Sequence, residues 1–167
     1  MRVLAVDASL RSTGVAIIDR NGNELCPIYF GMIHNAKSLS PSCCLVAIRN
    51  RLAELIQDHK PDCCALESVI YVQSHKTAIL LGAARGAAIL AAAEHGLPVF
   101  EYAPRRIKQA TVGRGGAEKS QVAFMVRALL GLTETPSADA ADALAIGITH
   151  LRAQEGARLG LSVGAQI

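Results

Sequence analysis

Four carboxylates are spaced so that a fold could bring them together. Asp7 ends the apolar run Val3-Leu4-Ala5-Val6, and Glu67 ends Cys63-Cys64-Ala65-Leu66. Each is an acid at the carboxyl end of a buried-type strand, which is where sites form in α/β sheets. If the two strands are parallel neighbours, the acids face one another. Close carboxylates repel unless one is protonated or a cation sits between them. Asp139 and Asp142 stand three apart in a helical pattern and so share one face. Ala138, Ala140, Ala141 and Ala143 around them are small enough to let that face approach a sheet closely. Oxygen donors without Cys or His suit Mg²⁺ or Mn²⁺. Two such ions can activate water and stabilise the leaving oxygen of a phosphodiester. Taken singly, each acid is as readily a loop residue or a helix cap. Asp139, just after Pro136-Ser137, falls in a first helical turn, where acids are favoured anyway. The helical pair combined with two strand-end acids is what points to chemistry.

A basic segment accompanies them. Residues 105–119 hold Arg105, Arg106, Lys108, Arg114 and Lys119 against a single acid, Glu118. Gly113, Gly115 and Gly116 would let backbone approach a phosphate. The plainer alternative is a solvated basic face with a glycine loop. A net charge of +3 permits an anionic partner without demanding one.

The elements that must position these residues are legible in outline. Residues 2–8 and 13–19 read as strands, Asn21-Gly22-Asn23 as a hairpin turn, and 24–34 as a third strand, with Pro27 a local break and Gly31 a bulge. Ser40-Pro41 starts a helix. Its stripe is Leu45, Ile48, Leu52, Leu55 and Ile56, and Pro61 closes it. Residues 62–67 form a buried strand, 74–95 a long helix stopped by Gly96, and 98–102 another strand. Helices follow from Pro104 to about Gly113, over 118–130, and over 136–154. The order βββαβα predicts a mixed α/β sheet of five strands, an antiparallel three-strand meander plus parallel strands, with helices on both faces. Residues 1–155 are expected to form one domain, and the glycine-rich 156–167 a flexible tail.

Composition narrows the class further. With 51% hydrophobic and 19% charged residues, the 167-residue chain is neither disordered nor a coiled coil. Three Tyr, three Phe and no Trp argue against a base-stacking platform. The five cysteines include two adjacent pairs in apolar settings and no C-x-x-C, so they read as buried, reduced thiols of a cytosolic protein. The first apolar run is too short for a signal peptide. The stretch 77–93 is interrupted by Arg85 and short for a bilayer span. The expectation is a cytoplasmic protein with no membrane segment.

At this point the sequence resembles a known family. The stretches are Val6-Asp7-Ala8-Ser9-Leu10-Arg11-Ser12-Thr13-Gly14, Leu66-Glu67-Ser68-Val69, Leu81-Gly82-Ala83-Ala84-Arg85-Gly86 and Pro98-Val99-Phe100-Glu101-Tyr102. Three more follow in order: Ile107-Lys108-Gln109, Ala117-Glu118-Lys119-Ser120-Gln121-Val122, and Ala138 through Ile146. Together they resemble the RuvC family of Holliday-junction resolvases on the ribonuclease-H-like fold. The resemblance implies an endodeoxyribonuclease of homologous recombination and DNA repair that resolves four-way junctions by paired symmetric nicks. It implies two Mg²⁺ per subunit, with Mn²⁺ a substitute, held by Asp7, Glu67, Asp139 and Asp142. The family's functional lysines fall on Lys108 and Lys119, and Arg105, Arg106 and Arg114 become expected DNA contacts. A homodimer and a branch-migration helicase complex of the RuvA and RuvB type are implied as partners. Two departures stand out. Ala8-Ser9 replaces the family's usual Pro-Gly. Ile70, followed by Tyr71, occupies the position of a junction-inserting Phe. The alternatives are a nuclease of the same fold acting on other branched DNA or on RNA, and an actin-like ATPase lobe suggested by Asp7-Ala8-Ser9 leading to Ser12-Thr13-Gly14.

Overall fold

A computed structural model describes residues 1–69, 74–158 and 163–167. The chain opens with β1 (Arg2–Asp7), β2 (Ser12–Asn21) and β3 (Glu24–His34). Gly22-Asn23 is the two-residue turn between β2 and β3, closed by the pair Asn21↔Glu24. Then come α1 (Pro41–His59), β4 (Cys63–Glu67), α2 (His75–Glu94), β5 (Val99–Tyr102), α3 (Pro104–Val112), α4 (Lys119–Leu129), α5 (Ala138–Arg158) and β6 (Ala165–Gln166). The helix starts follow the sequence signals. Ser40 caps α1 by accepting from the Cys43 amide, and Pro41 takes the first turn. Glu118 and Gln121 form a reciprocal capping box at α4.

The sheet runs β3-β2-β1-β4-β5-β6. β1–β2 and β2–β3 are antiparallel, whereas β1–β4 and β4–β5 are parallel. Two expectations are corrected. Six strands, not five, are present among the described residues, because Ala165–Gln166 pairs antiparallel on the otherwise open edge of β5. The bulge in β3 lies at Ile28, between the pairs Ile18↔Pro27 and Ile17↔Tyr29, while Gly31 pairs regularly with Val15. Pro27 has no N–H to give the ladder, so the register breaks beside it.

Alternation along the strands divides the core in two. Leu4, Val6, Val15, Ile17, Cys64 and Leu66 point toward α1 and α2 and pack on Ile48, Leu52, Leu55 and the alanines of α2. Val3, Ala5, Ala16, Ile18, Cys63 and Ala65 point toward α3, α4 and α5. Helix α2 is long and apolar enough to cross a bilayer. Here its Ala84, Ala88, Ala91 and Ala92 are buried in the α1/α2 core, and its Arg85 is ion-paired to Glu101 of β5.

Candidate active site

Strand period and helix placement together explain where the acids lie. Asp7 follows Val3 and Ala5 by steps of two, and Glu67 follows Cys63 and Ala65 in the same way, so both leave the sheet on the α5 side. The parallel register Val6↔Leu66 makes them neighbours at the carboxyl ends of β1 and β4. Helix α5 crosses this face and presents Asp139 and Asp142 from its first turns. Its close approach depends on missing side chains. A Cβ on Gly14 would lie 2.0 Å from the Asp139 carbonyl oxygen, and one on Gly147 would lie 2.8 Å from Ile18 Cδ1. The loop after Asp7 is braced as well. Thr13 Oγ1 donates to the Ser9 carbonyl at 2.5 Å, and Arg11 donates to the Ala36 and Leu39 carbonyls at 2.6 and 2.9 Å. Among the described non-glycine residues only Lys60 has a positive φ, so Ala8 and Ser9 occupy ordinary backbone where the family's Pro-Gly would stand.

The electrostatics are those of crowded negative charge. Burial first, then Asp142 and Glu67, push the Asp7 carboxyl up to about 7, while Lys119 pulls the other way. Burial, followed by Asp142, also raises Glu67. Lys119 Nζ lies 2.7 Å from Asp142 Oδ2, and that bond, its leading cause, raises the lysine. Ser12 at the head of β2 donates its hydroxyl to Asp139 Oδ2. The donor chemistry fits hard divalent cations: four carboxylates, no thiolate or imidazole, and repulsion that a cation would relieve. As the side chains stand, no three acids among the described residues lie close enough to share one ion. Asp139 is engaged by Ser12 and Asp142 by Lys119.

The expected basic residues separate into two groups. Lys108 and Lys119 line a small cavity of about 80 Å³ together with Glu67 and Asp142. Arg105 is exposed and lies along Gly115. Arg114 is exposed and donates to Gln121 Oε1 at 3.4 Å. Arg106 has its guanidinium 5.3 Å from the Tyr102 ring centroid and donates to the Val163 carbonyl at 3.4 Å. Ile70 and Tyr71 lie outside the described residues. The sequence did not single out Ser12 or Arg85 as site residues. Arg85 lines a second cavity beside Asp7 and Glu67. Ser12 has no distinguishing spacing; only its place on the α5 face of β2, opposite the helix start, reveals it.

Comparison with known proteins agrees with this geometry. The family model "Crossover junction endodeoxyribonuclease RuvC" matches residues 3–150, which includes all four acids and both lysines. A crossover junction endodeoxyribonuclease RuvC of Akkermansia muciniphila is 52% identical over 151 residues, covering 90% of each chain. One of Bradyrhizobium diazoefficiens is 42% identical over 163 residues, covering 98% of this chain and 93% of its own. The structure of T. thermophilus RuvC in complex with a Holliday junction substrate superposes with a TM-score of 0.89 at 31% identity, covering 99% of both chains. The yeast mitochondrial Holliday junction resolvase Ydc2 shares the fold, with a TM-score of 0.67 at 11% identity over 95% of this chain and 82% of its own. The acids of α5 fall inside the matched region, which sets aside an actin-like ATPase lobe. The chain belongs to the RuvC family of crossover junction endodeoxyribonucleases.

Proposed function

We propose that this chain resolves four-way DNA junctions by paired, symmetric phosphodiester hydrolysis during recombination and repair. The observation that carries the reading is the gathering of Asp7, Glu67, Asp139 and Asp142 on one face of the sheet, with Lys108 and Lys119 beside them. Asp7, Glu67, Asp139 and Asp142 are the proposed ligands of two Mg²⁺ per subunit, with Mn²⁺ able to substitute. When bound, the ions lower the pKa of a water and neutralise charge on the scissile phosphate. Lys119 holds Asp142 before ions arrive and is placed to meet phosphate charge afterwards. Lys108, which lines the same cavity as Asp142, supplies a second cation for the charge that builds in the transition state. Arg105, Arg106 and Arg114, with Ile70 or Tyr71, are the proposed further DNA contacts.

A junction has two-fold symmetry, so two related nicks call for a two-fold protein. The exposed Ile79 and Leu90 on α2 support a homodimer through that helix. The catalytic unit is residues 1–155, the setting is the cytoplasm, and a helicase complex of the RuvA and RuvB type delivers the junction.

The test is cleavage of a sequence-varied panel of four-way junctions beside linear duplex and flap DNA, with Mg²⁺ or with EDTA. Metal-dependent paired nicks confined to the junctions are expected. Equal cutting of flaps or duplex would move the reading to a general branched-DNA nuclease. Loss of a residue that merely supports a metal ligand costs about 10–100-fold. Asp7→Asn, which removes a proposed ligand itself, should therefore lose more than about a hundredfold in rate while junction binding persists. Normal cleavage by that variant would sink the metal assignment.

A further inference from the structure

We propose that Ser12 is a positioning residue for Asp139, one that sets how well this carboxylate serves a divalent cation. The inference rests on reading Asp139 as a metal ligand.

The two acids of α5 are held by different chemistry. Asp142 is paired with the ammonium of Lys119, at 2.7 Å. That partner fixes the carboxylate but also cancels its charge. Asp139 is held by a hydroxyl, which arrives from the head of β2, 127 positions away in sequence. A neutral donor restricts the carboxylate's rotamer and leaves its full negative charge available. The Ser12 hydroxyl has one proton and two acceptors in reach, Asp139 Oδ2 and Met32 Sδ, the latter at 3.7 Å. A thioether is a weak acceptor and an ionised carboxylate a strong one, so the proton goes to Asp139.

The short serine side chain can reach because the backbones are already close. Gly14, two residues along the same strand face, lies where a Cβ would be 2.0 Å from the Asp139 carbonyl oxygen. The segment Ser12-Thr13-Gly14 thus grips the helix start at two atoms of one residue. Gly14 makes room for the Asp139 carbonyl, and Ser12 holds its carboxylate. Partners that orient a metal ligand from behind commonly govern metal affinity by about 10–100-fold.

The test compares Ser12→Val, which removes the hydroxyl and keeps a strand-favouring shape, with Ser12→Thr, which restores it, and with Ser12→Ala as a smaller deletion. Mn²⁺ binding by the free protein, followed by electron paramagnetic resonance, is one readout. The Mg²⁺ concentration for half-maximal junction nicking is the other. Ser12→Val and Ser12→Ala should weaken Mn²⁺ binding and raise the Mg²⁺ requirement by about tenfold. Ser12→Thr should restore both, and junction binding in EDTA should stay constant throughout. Unchanged metal dependence in Ser12→Val and Ser12→Ala, with loss in Asp139→Asn, would overturn the role of Ser12 and leave the site standing. Lowered melting temperature with unchanged metal dependence would overturn it too, making the contact a structural tie. If Asp139→Asn itself keeps wild-type metal dependence, the reading of the site fails and takes the inference with it.

Discussion

The two faces of the sheet differ in where their small residues lie. The α1/α2 face is packed with branched aliphatics: Leu4, Val6, Val15, Ile17 and Leu66 from the strands against Ile48, Leu52, Leu55 and Ile56 of α1. Its buried thiol Cys64 is pushed up to about 12 by burial and stays inert. The α5 face has its own large residues, Val3, Ile18, Leu144, Ile146 and Leu151 among them, but its strand–helix contact is lined by small ones. Ala5, Ala16 and Ala65 meet Ala143 and Gly147, and the polar groups of the site enter along the same helix. Large side chains bury more area and stabilise more; small ones let a helix lie close enough to present carboxylates to strand ends. Chemistry is thereby confined to one side of the layer, and substitutions on the two sides should fail in different ways.

The largest effect is expected at Gly14. A Cβ there would sit 2.0 Å from Asp139 O and 2.7 Å from its carbonyl carbon, both backbone atoms that cannot swing aside. The start of α5 must therefore move by about an ångström, a displacement able to cost about a hundredfold in rate. Overpacking should remove a further 1–3 kcal/mol or so of stability. Single-turnover nicking and thermal melting of Gly14→Ala would measure both losses. Wild-type nicking would mean the helix start does not need its present distance.

Leu52→Ala is the counterpart on the other face. Leu52 is fully buried, and truncating such a leucine costs about 2–5 kcal/mol. Well below the lowered melting transition, nicking per folded molecule should be unchanged. A slowed chemical step at full folding would show that the faces are mechanically coupled and break the division of labour.

How far the sequence foretold this division depends on the element. Period-two alternation in β1 and β4 carries both acids to one side, and the i, i+3 spacing in α5 does the same for Asp139 and Asp142. Uniting the four further needed the pairing of β1 with β4 and the packing of α5 on that face. The cap at Ser40 was equally readable, because capping is local chemistry. What escaped was non-local. Ser12 and Asp139 meet only because Gly14 admits the helix, and no spacing in the chain announces that contact. Strand β6 escaped because two exposed residues, Ala165 and Gln166, carry no pattern of their own and are strand only by pairing with β5. Nothing in the basic run announces the contact of Arg106 with the Tyr102 ring either.

The smallest prediction isolates a cost carried by the α5 face alone. His150 of α5 is fully buried, with Nδ1 2.8 Å from the Tyr102 hydroxyl and Nε2 3.2 Å from Cys63 Sγ. Burial pushes Cys63 up to about 12 and raises Tyr102, so both partners keep their protons and one ring nitrogen donates while the other accepts. Burial drives His150 itself from 6.5 down to about 4. With the folded value below the unfolded one, the neutral ring is favoured in the native state. Its contribution is complete above about pH 6.5 and is lost as pH falls toward 4, amounting to roughly 3 kcal/mol. Asp7 works in the opposite sense over part of the same range. Its raised value gives the folded protein the extra proton, so acid favours folding there. Total stability against pH therefore mixes two opposed slopes. The difference between wild type and His150→Phe removes Asp7 and isolates the histidine. Chemical denaturation at pH 7 and pH 4.5 should show the stability gap between the two proteins narrowing on acidification by about 2–3 kcal/mol. A constant gap would mean that His150 takes up its proton in the folded core as readily as in the unfolded chain. Leu52→Ala, measured in parallel, should keep a constant gap from wild type, because the substitution removes no titratable group.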